Sequence, residues 1–203
     1  MLDRSHSSSS GASPQPHPDP SQIAINYAVV TVSDTRTPET DRSGALIQEL
    51  LQSAGHTIGR YQIIPDEPTR ICAELESALK MRSIQAIIFN GGTGISPRDN
   101  TYEAISSILT KTLPGFGEIF RWLSYQEIGS RAISSRALAG TYQHLLVFSL
   151  PGSRGAVQLG MEKLILPESI HLVTQLTWHL PSPIKRSIQK VLSAGYLQDL
   201  FVC

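Results

Sequence analysis

The sequence predicts an α/β protein with a largely parallel sheet covered by helices on both faces. Three short runs, at 27–32, 86–89 and 145–150, are apolar at nearly every position rather than at alternate ones, which is the pattern of parallel strands buried on two sides. Between them lie stretches whose apolar residues recur three and four apart, so strand and helix alternate, and there is no internal repeat. Each run stops at a cluster of glycine, proline, hydroxyl and charged residues. In an open α/β sheet ligands bind beyond the carboxyl ends of the strands, so these clusters mark the expected functional edge.

Residues 1–22 are Ser, Pro and Gly with almost nothing apolar, and read as a disordered tail in which His6 and His17 make a poor metal site. Order is expected from Ile23. The run at 27–32 ends in Ser33-Asp34-Thr35-Arg36, and Asp41 then caps a helix striped by Leu46, Ile47, Leu50, Leu51 and Ala54, with Gly55 at C′. A strand over 56–64 stops at Pro65-Asp66-Glu67-Pro68. The next helix carries Ile71, Leu75, Ala78 and Leu79, with Cys72 beside the stripe as a core residue rather than a reactive one. Asp66 by itself reads as a helix cap between two prolines. It nevertheless ends one strand as Asp99 closes the loop after the next, so the two carboxylates can face each other across one crevice.

After the run at 86–89 comes N-G-G-T-G-I-S-P-R-D-N-T, residues 90–101. Gly91, Gly92 and Gly94 permit positive φ and close approach, so that successive N–H groups can converge on an anion. Asn100 and Glu103 have capping-box spacing, which would aim a helix N-terminus at the same spot. Arg98 brings a cation, and Asp99 a carboxylate suited to a metal. The spacing is neither that of the dinucleotide fingerprint nor that of the Walker A loop, which removes a generic nucleotide-binding oxidoreductase. A helix over 101–108 follows, then one containing Phe116, Phe120 and Trp122 as core or subunit contacts and broken by Gly129. The strand at 145–150 ends in Pro151-Gly152-Ser153-Arg154 and leads into a helix with Val157, Met161, Leu164 and Ile165. Thr177 to Pro183 marks a boundary. Beyond it, 178–203 reads as a tail with a short amphipathic helix through Ile184, Ile188, Val191 and Leu192.

The totals narrow the partners. The chain has 203 residues, enough for one domain at 23–177 with two tails, and Lys plus Arg equals Asp plus Glu at 17 each. Nothing in that balance calls for nucleic acid or an acidic membrane surface, so a small-molecule ligand is expected. Two cysteines, Cys72 and Cys203, give no disulfide framework. No run is long enough for a membrane span and the N-terminus has no apolar leader, so a cytoplasmic protein is expected.

The loop resembles the G-G-T-G-x-x-x-R-D-x-T signature of the MoaB/MogA family, the molybdopterin-binding proteins of molybdenum cofactor biosynthesis. Gly91, Gly92, Thr93, Gly94, Arg98, Asp99 and Thr101 fill every fixed position. The similarity covers roughly 25–177 and includes S-D-T-R at 33–36, D-R-S-G at 41–44, I-P-D-E-P at 64–68, P-G-F-G-E-I-F-R at 114–121, S-S-R-A-L-A-G at 134–140 and L-P-G-S at 150–153, in forms closer to the MoaB branch. The resemblance implies a three-layer αβα sandwich of the molybdopterin-binding fold, a homotrimer or homohexamer, and contact with the molybdenum-inserting proteins of the pathway. It implies molybdopterin binding and, in active members, Mg²⁺-dependent adenylylation of the pterin by ATP; the alternative is a non-catalytic molybdopterin-binding or assembly protein.

Carried over by position, the catalytic acids and metal ligands fall on Asp66 and Asp99. The phosphate and pterin site falls on Gly91, Gly92, Thr93, Gly94 and Arg98, with Ser33 and Asp34 lining it, and the pterin edge on Ser135, Arg136, Pro151, Gly152 and Ser153. Arg98 and Arg136 suit phosphate oxygens through the guanidinium fork. Two carboxylates about 5 Å apart at an effective dielectric of about 20 repel by roughly 3 kcal/mol, so one of the pair is expected to hold its proton more tightly.

Overall fold

The computed structural model describes residues 23–177. The expectations for 1–22 and 178–203, among them His6, His17, Cys203 and the stripe at Ile184 and Ile188, lie outside the described residues. Four strands pair in parallel, β1 (Asn26–Val32), β2 (Thr57–Ile64), β3 (Ala86–Asn90) and β6 (Leu145–Leu150), and one edge is extended by β5 (Leu138–Tyr142), antiparallel to β6, and by β4 (Lys111–Thr112), antiparallel to β5. The order is β2-β1-β3-β6-β5-β4. The chain therefore leaves β1 toward one side for β2 and returns on the other side for β3, a reversal that opens a crevice between the ends of β1 and β3.

Alternation along the central strands supplies two cores. Tyr27 and Val29 with Ile88, Leu146 and Phe148 face α1 (Arg42–Ser53), α4 (Pro114–Ile128), α5 (Arg154–Gly160) and α6 (Leu166–Thr177) through Ile47, Leu51, Phe120, Val157 and Val173. Ala28, Val30, Ile87, Phe89 and Val147 face α2 (Pro68–Lys80) and α3 (Thr101–Ile108) through Ile71, Leu75, Ala104 and Ile105. The expected αβα sandwich is the fold observed.

Local signals mostly hold. Asp41 accepts the Gly44 N–H at 2.9 Å as the cap of α1, and Gly55 (φ 80°) and Gly129 (φ 62°) follow their helices in left-handed conformations. Phe120 is fully buried and the Phe116 ring lies 5.5 Å from Phe148, but Trp122 is 61% exposed and belongs to no core. Cys72 is half-buried beside Ile71. The helix expected after Ser153 runs on to Thr177 through a π-helical turn at Met161–Ile165. It descends from the carboxyl end of β6 to the opposite pole, where Leu172 and Leu176 share a hollow with Leu146, at the start of β6.

Candidate functional site

The register sets Val32 beside Ile64, Thr31 beside Asn90 and Asn90 beside Leu150, so the loops after β1, β2, β3 and β6 begin nearly level. Between them lies a cleft of about 410 Å³ lined by Ser33, Arg36, Gly91 to Gly94, Asp99, Ser134, Ser135, Pro151 and Gly152. Nine of these are expected site residues brought together from four segments; Arg36 and Ser134 were not on that roll. A second hollow of about 750 Å³ shares Ser33 and Arg36 and contains Asp34, Tyr61, Glu67 and Arg98.

The glycine loop is shaped for anions by what holds its carbonyls. Gly92 O accepts from Thr101 N at 2.9 Å, Thr93 O accepts from Arg136 Nε at 2.8 Å, and Gly94 O accepts from Arg136 Nη2. In a trans peptide the carbonyl and the following N–H point oppositely, so the N–H groups of Thr93, Gly94 and Ile95 are turned away from these partners. Arg136 is further held by Glu103 and lies 4.8 Å over the Tyr102 ring. It therefore sets the loop from behind and lies outside the cleft lining. Gly91 (φ 110°) and Gly92 (φ 63°) use the left-handed region, whereas Gly94 is required for space, since a Cβ there would sit 2.5 Å from Asp99 Oδ2.

The capping box does not form. Glu103 is taken by Arg136, and the Asn100 side chain donates to Arg98 O at 2.8 Å and Asp66 O at 3.2 Å. The start of α3 is served instead by Asp66, whose Oδ1 accepts from Asn100 N at 3.1 Å and Thr101 Oγ1 at 3.4 Å. A helix terminus expected to meet an external anion thus already holds an internal carboxylate. Nor does Asp66 cap its own helix, where Glu67 stands at the cap position without a side-chain bond.

Asp66 is 4% exposed and sits behind Gly92, and burial, with a smaller contribution from the nearby Asp99 charge, raises its pKa above the usual carboxylate range. The direction expected from paired acids is present, though desolvation rather than repulsion leads. A raised folded pKa favours the protonated form, so Asp66 contributes stability at low pH that is lost as pH rises through that folded pKa. Asp66→Asn should therefore melt above the wild type at pH 7, with the gap closing toward pH 4; thermal melts at the two pH values check it.

Arg36 links the cleft to a buried polar cluster. Its Nη2 donates to Gly152 O at 3.0 Å and its Nη1 to Asp41 Oδ1 at 3.0 Å, while Asp41 also accepts from Thr31 Oγ1 and from Tyr61 OH at 2.7 Å. Burial opposes ionisation of Asp41, but these hydrogen bonds outweigh it and hold its pKa below the ordinary value. The turn at 151–152 is thereby fixed against β1. Ser153, expected at the pterin edge, caps α5 by accepting from Ala156 N at 3.3 Å.

A family model described as a probable molybdopterin binding domain matches residues 28–171. Molybdenum cofactor biosynthesis protein B of Bacillus subtilis (strain 168) is 52% identical over 153 residues, which is 75% of this chain and 90% of that protein. A crystal structure of molybdenum cofactor biosynthesis protein B has a TM-score of 0.76 at 46% identity, covering 78% of this chain and 99% of the other. That of the tungsten cofactor synthesizing protein MoaB from Pyrococcus furiosus has a TM-score of 0.69 at 36% identity, covering 75% and 97%. With the glycine loop, the two acids and the turn after β6 assembled at one edge of the same fold, the chain belongs to the MoaB/MogA family of molybdopterin-binding proteins, on the branch of molybdenum cofactor biosynthesis protein B.

Proposed function

We propose that the chain, within the molybdenum cofactor biosynthesis that its family serves, binds molybdopterin and adenylylates it with Mg-ATP before molybdenum insertion. A phosphate oxygen of the pterin attacks the α-phosphorus of ATP, one P–O bond forms, the α–β bridge breaks, and pyrophosphate leaves. The observation that carries this reading is the cleft itself, in which outward N–H groups of a glycine loop stand beside the Asp99 carboxylate, with the buried Asp66 carboxylate directly behind Gly92.

The residues fit a hard divalent cation. Asp66 Oδ1 and Asp99 Oδ2 accept protein N–H groups, and among the described residues Asp66 Oδ2 and Asp99 Oδ1 have no hydrogen-bond donor. No cluster of three or more metal-binding side chains occurs among the described residues, so two carboxylate oxygens would be completed by phosphate and water, the habit of magnesium. When bound, Mg²⁺ supplies positive charge to the triphosphate oxygens. The chain's own part is positioning: the N–H groups of Thr93 and Gly94 meet phosphate oxygens, Arg136 keeps that loop rigid, and Arg36 fixes the turn at Gly152.

Incubation with molybdopterin, ATP and Mg²⁺ should yield adenylylated pterin and pyrophosphate. Pterin binding without product would identify a binding or assembly member instead. Mg²⁺ and ATP together, at about a hundred times their dissociation constant, should stabilise the protein by about 2.7 kcal/mol, or several degrees in Tm. A melting curve unmoved by both together would remove the shared metal site.

A further inference from the structure

Asp66 lies just past the end of β2, an edge strand, between Pro65 and Pro68. Among the described residues no strand pairs with its main chain. The last main-chain hydrogen bond between the ends of β1 and β2 is Ser33 N to Ile64 O at 2.8 Å. Beyond it, the Asp66 N–H donates to Asp34 Oδ1 at 3.1 Å, and the Asp66 carbonyl accepts from Arg98 Nη1 at 2.9 Å. Those two partners are locked to one another: Arg98 Nε meets Asp34 Oδ2 and Arg98 Nη2 meets Asp34 Oδ1, both at 2.7 Å. This is a bidentate pair, the geometry in which an exposed ion pair holds a defined position.

We propose that Asp34 and Arg98 are positioning residues that clamp the Asp66 main chain from both sides and thereby set its carboxylate behind Gly92. Neither residue lines the glycine cleft, and each of the three guanidinium nitrogens of Arg98 donates to a protein acceptor, two to the Asp34 carboxylate and one to the Asp66 carbonyl. The clamp ties the end of β1, the end of β2 and the exit of the glycine loop into one unit. Its polarity matters, because a carboxylate faces an N–H and a guanidinium faces a C=O.

The catalytic purpose of the clamp rests on the adenylyl reading; its existence does not, and the test separates the two. Arg98→Ala, Arg98→Lys and the exchanged pair Asp34→Arg with Arg98→Asp are compared with the wild type by amide hydrogen exchange at Asp66 and by pyrophosphate release against Mg²⁺ and ATP. Arg98→Ala should exchange the Asp66 amide at least about tenfold faster, lower kcat by about tenfold or more and raise the Mg²⁺ requirement, with KM for ATP within about twofold. Added to Asp66→Asn it should cause no further loss. Arg98→Lys keeps the charge and the fold but not the fork, and should follow Arg98→Ala. The exchanged pair restores opposite charges but sets a cation against the N–H, and should not recover kcat.

A risen KM for ATP with kcat intact, a full Arg98→Ala effect persisting in Asp66→Asn, or recovery in the exchanged pair would overturn the proposal. A wild type that makes no product would end the adenylyl reading alone. In that case unchanged Asp66 exchange in Arg98→Ala overturns the clamp, and faster exchange upholds it.

Discussion

Asp99→Ala is expected to turn over at about a hundredth of the wild-type rate or less while remaining folded. The separation of the two effects follows from where Asp99 stands. It is half-buried in a loop, and the one hydrogen bond its side chain makes among the described residues, from Ser96 N at 3.1 Å, closes a local turn whose loss costs about 1 kcal/mol. What disappears is a fixed negative charge on the wall of the cleft, next to the place where the triphosphate would lie. Asp99→Asn preserves the shape and an acceptor for Ser96 while deleting the charge, so it should be as slow as Asp99→Ala. Pyrophosphate release paired with a thermal melt measures both, and wild-type turnover in either variant would sink the assignment.

Gly92→Ala should damage stability and turnover together. The residue has φ 63°, where a side chain costs about 1–2 kcal/mol, and the added methyl would stand 2.1 Å from Asp66 Oδ2 and 2.3 Å from Thr101 Oγ1. Both neighbours are buried and hydrogen-bonded to the start of α3, so neither can yield without breaking the contacts that place Asp66. With the overpacking added, a loss of about 3 kcal/mol is expected by chemical denaturation, and turnover should fall about as far as in Asp99→Ala. Gly155→Ala is the matched control. It lies inside α5 with nothing within 4 Å of a new Cβ, and alanine there should be neutral or stabilising by up to about 1 kcal/mol.

The parts of the fold legible in the sequence were those where one local rule acts. Buried parallel strands need apolar residues on both faces, and the runs around Val29, Ile88 and Val147 announce themselves. β5 does not: L-A-G-T-Y has small residues and a glycine, and it becomes a strand only because a two-residue turn at Gln143 and His144 folds it against β6. The glycine loop was legible as an anion cradle, yet its geometry depends on Arg136, more than forty residues away, taking the carbonyls and drawing Glu103 out of a cap that its spacing suggested. Asp66 and Asp99 stood out by position after successive strands. That Asp66 would lie behind the loop, bonded to the start of α3, depends on contacts 34 and 35 residues distant. Arg36 was visible within S-D-T-R, but only the folded chain brings its guanidinium to Gly152 O, 116 residues on.

The long helical descent from Ser153 to Thr177 has a practical meaning for anyone handling the molecule. Both ends of the described segment, near Ile25 at the start of β1 and at Thr177 beside the start of β6, emerge at the pole away from the cleft. A purification handle, a fluorophore or a sensor surface joined directly at either end of residues 23–177 would meet the protein at that far pole. Joined there, the anchor itself would stand at the pole opposite the cleft, so binding of pterin or nucleotide could be followed on immobilised protein.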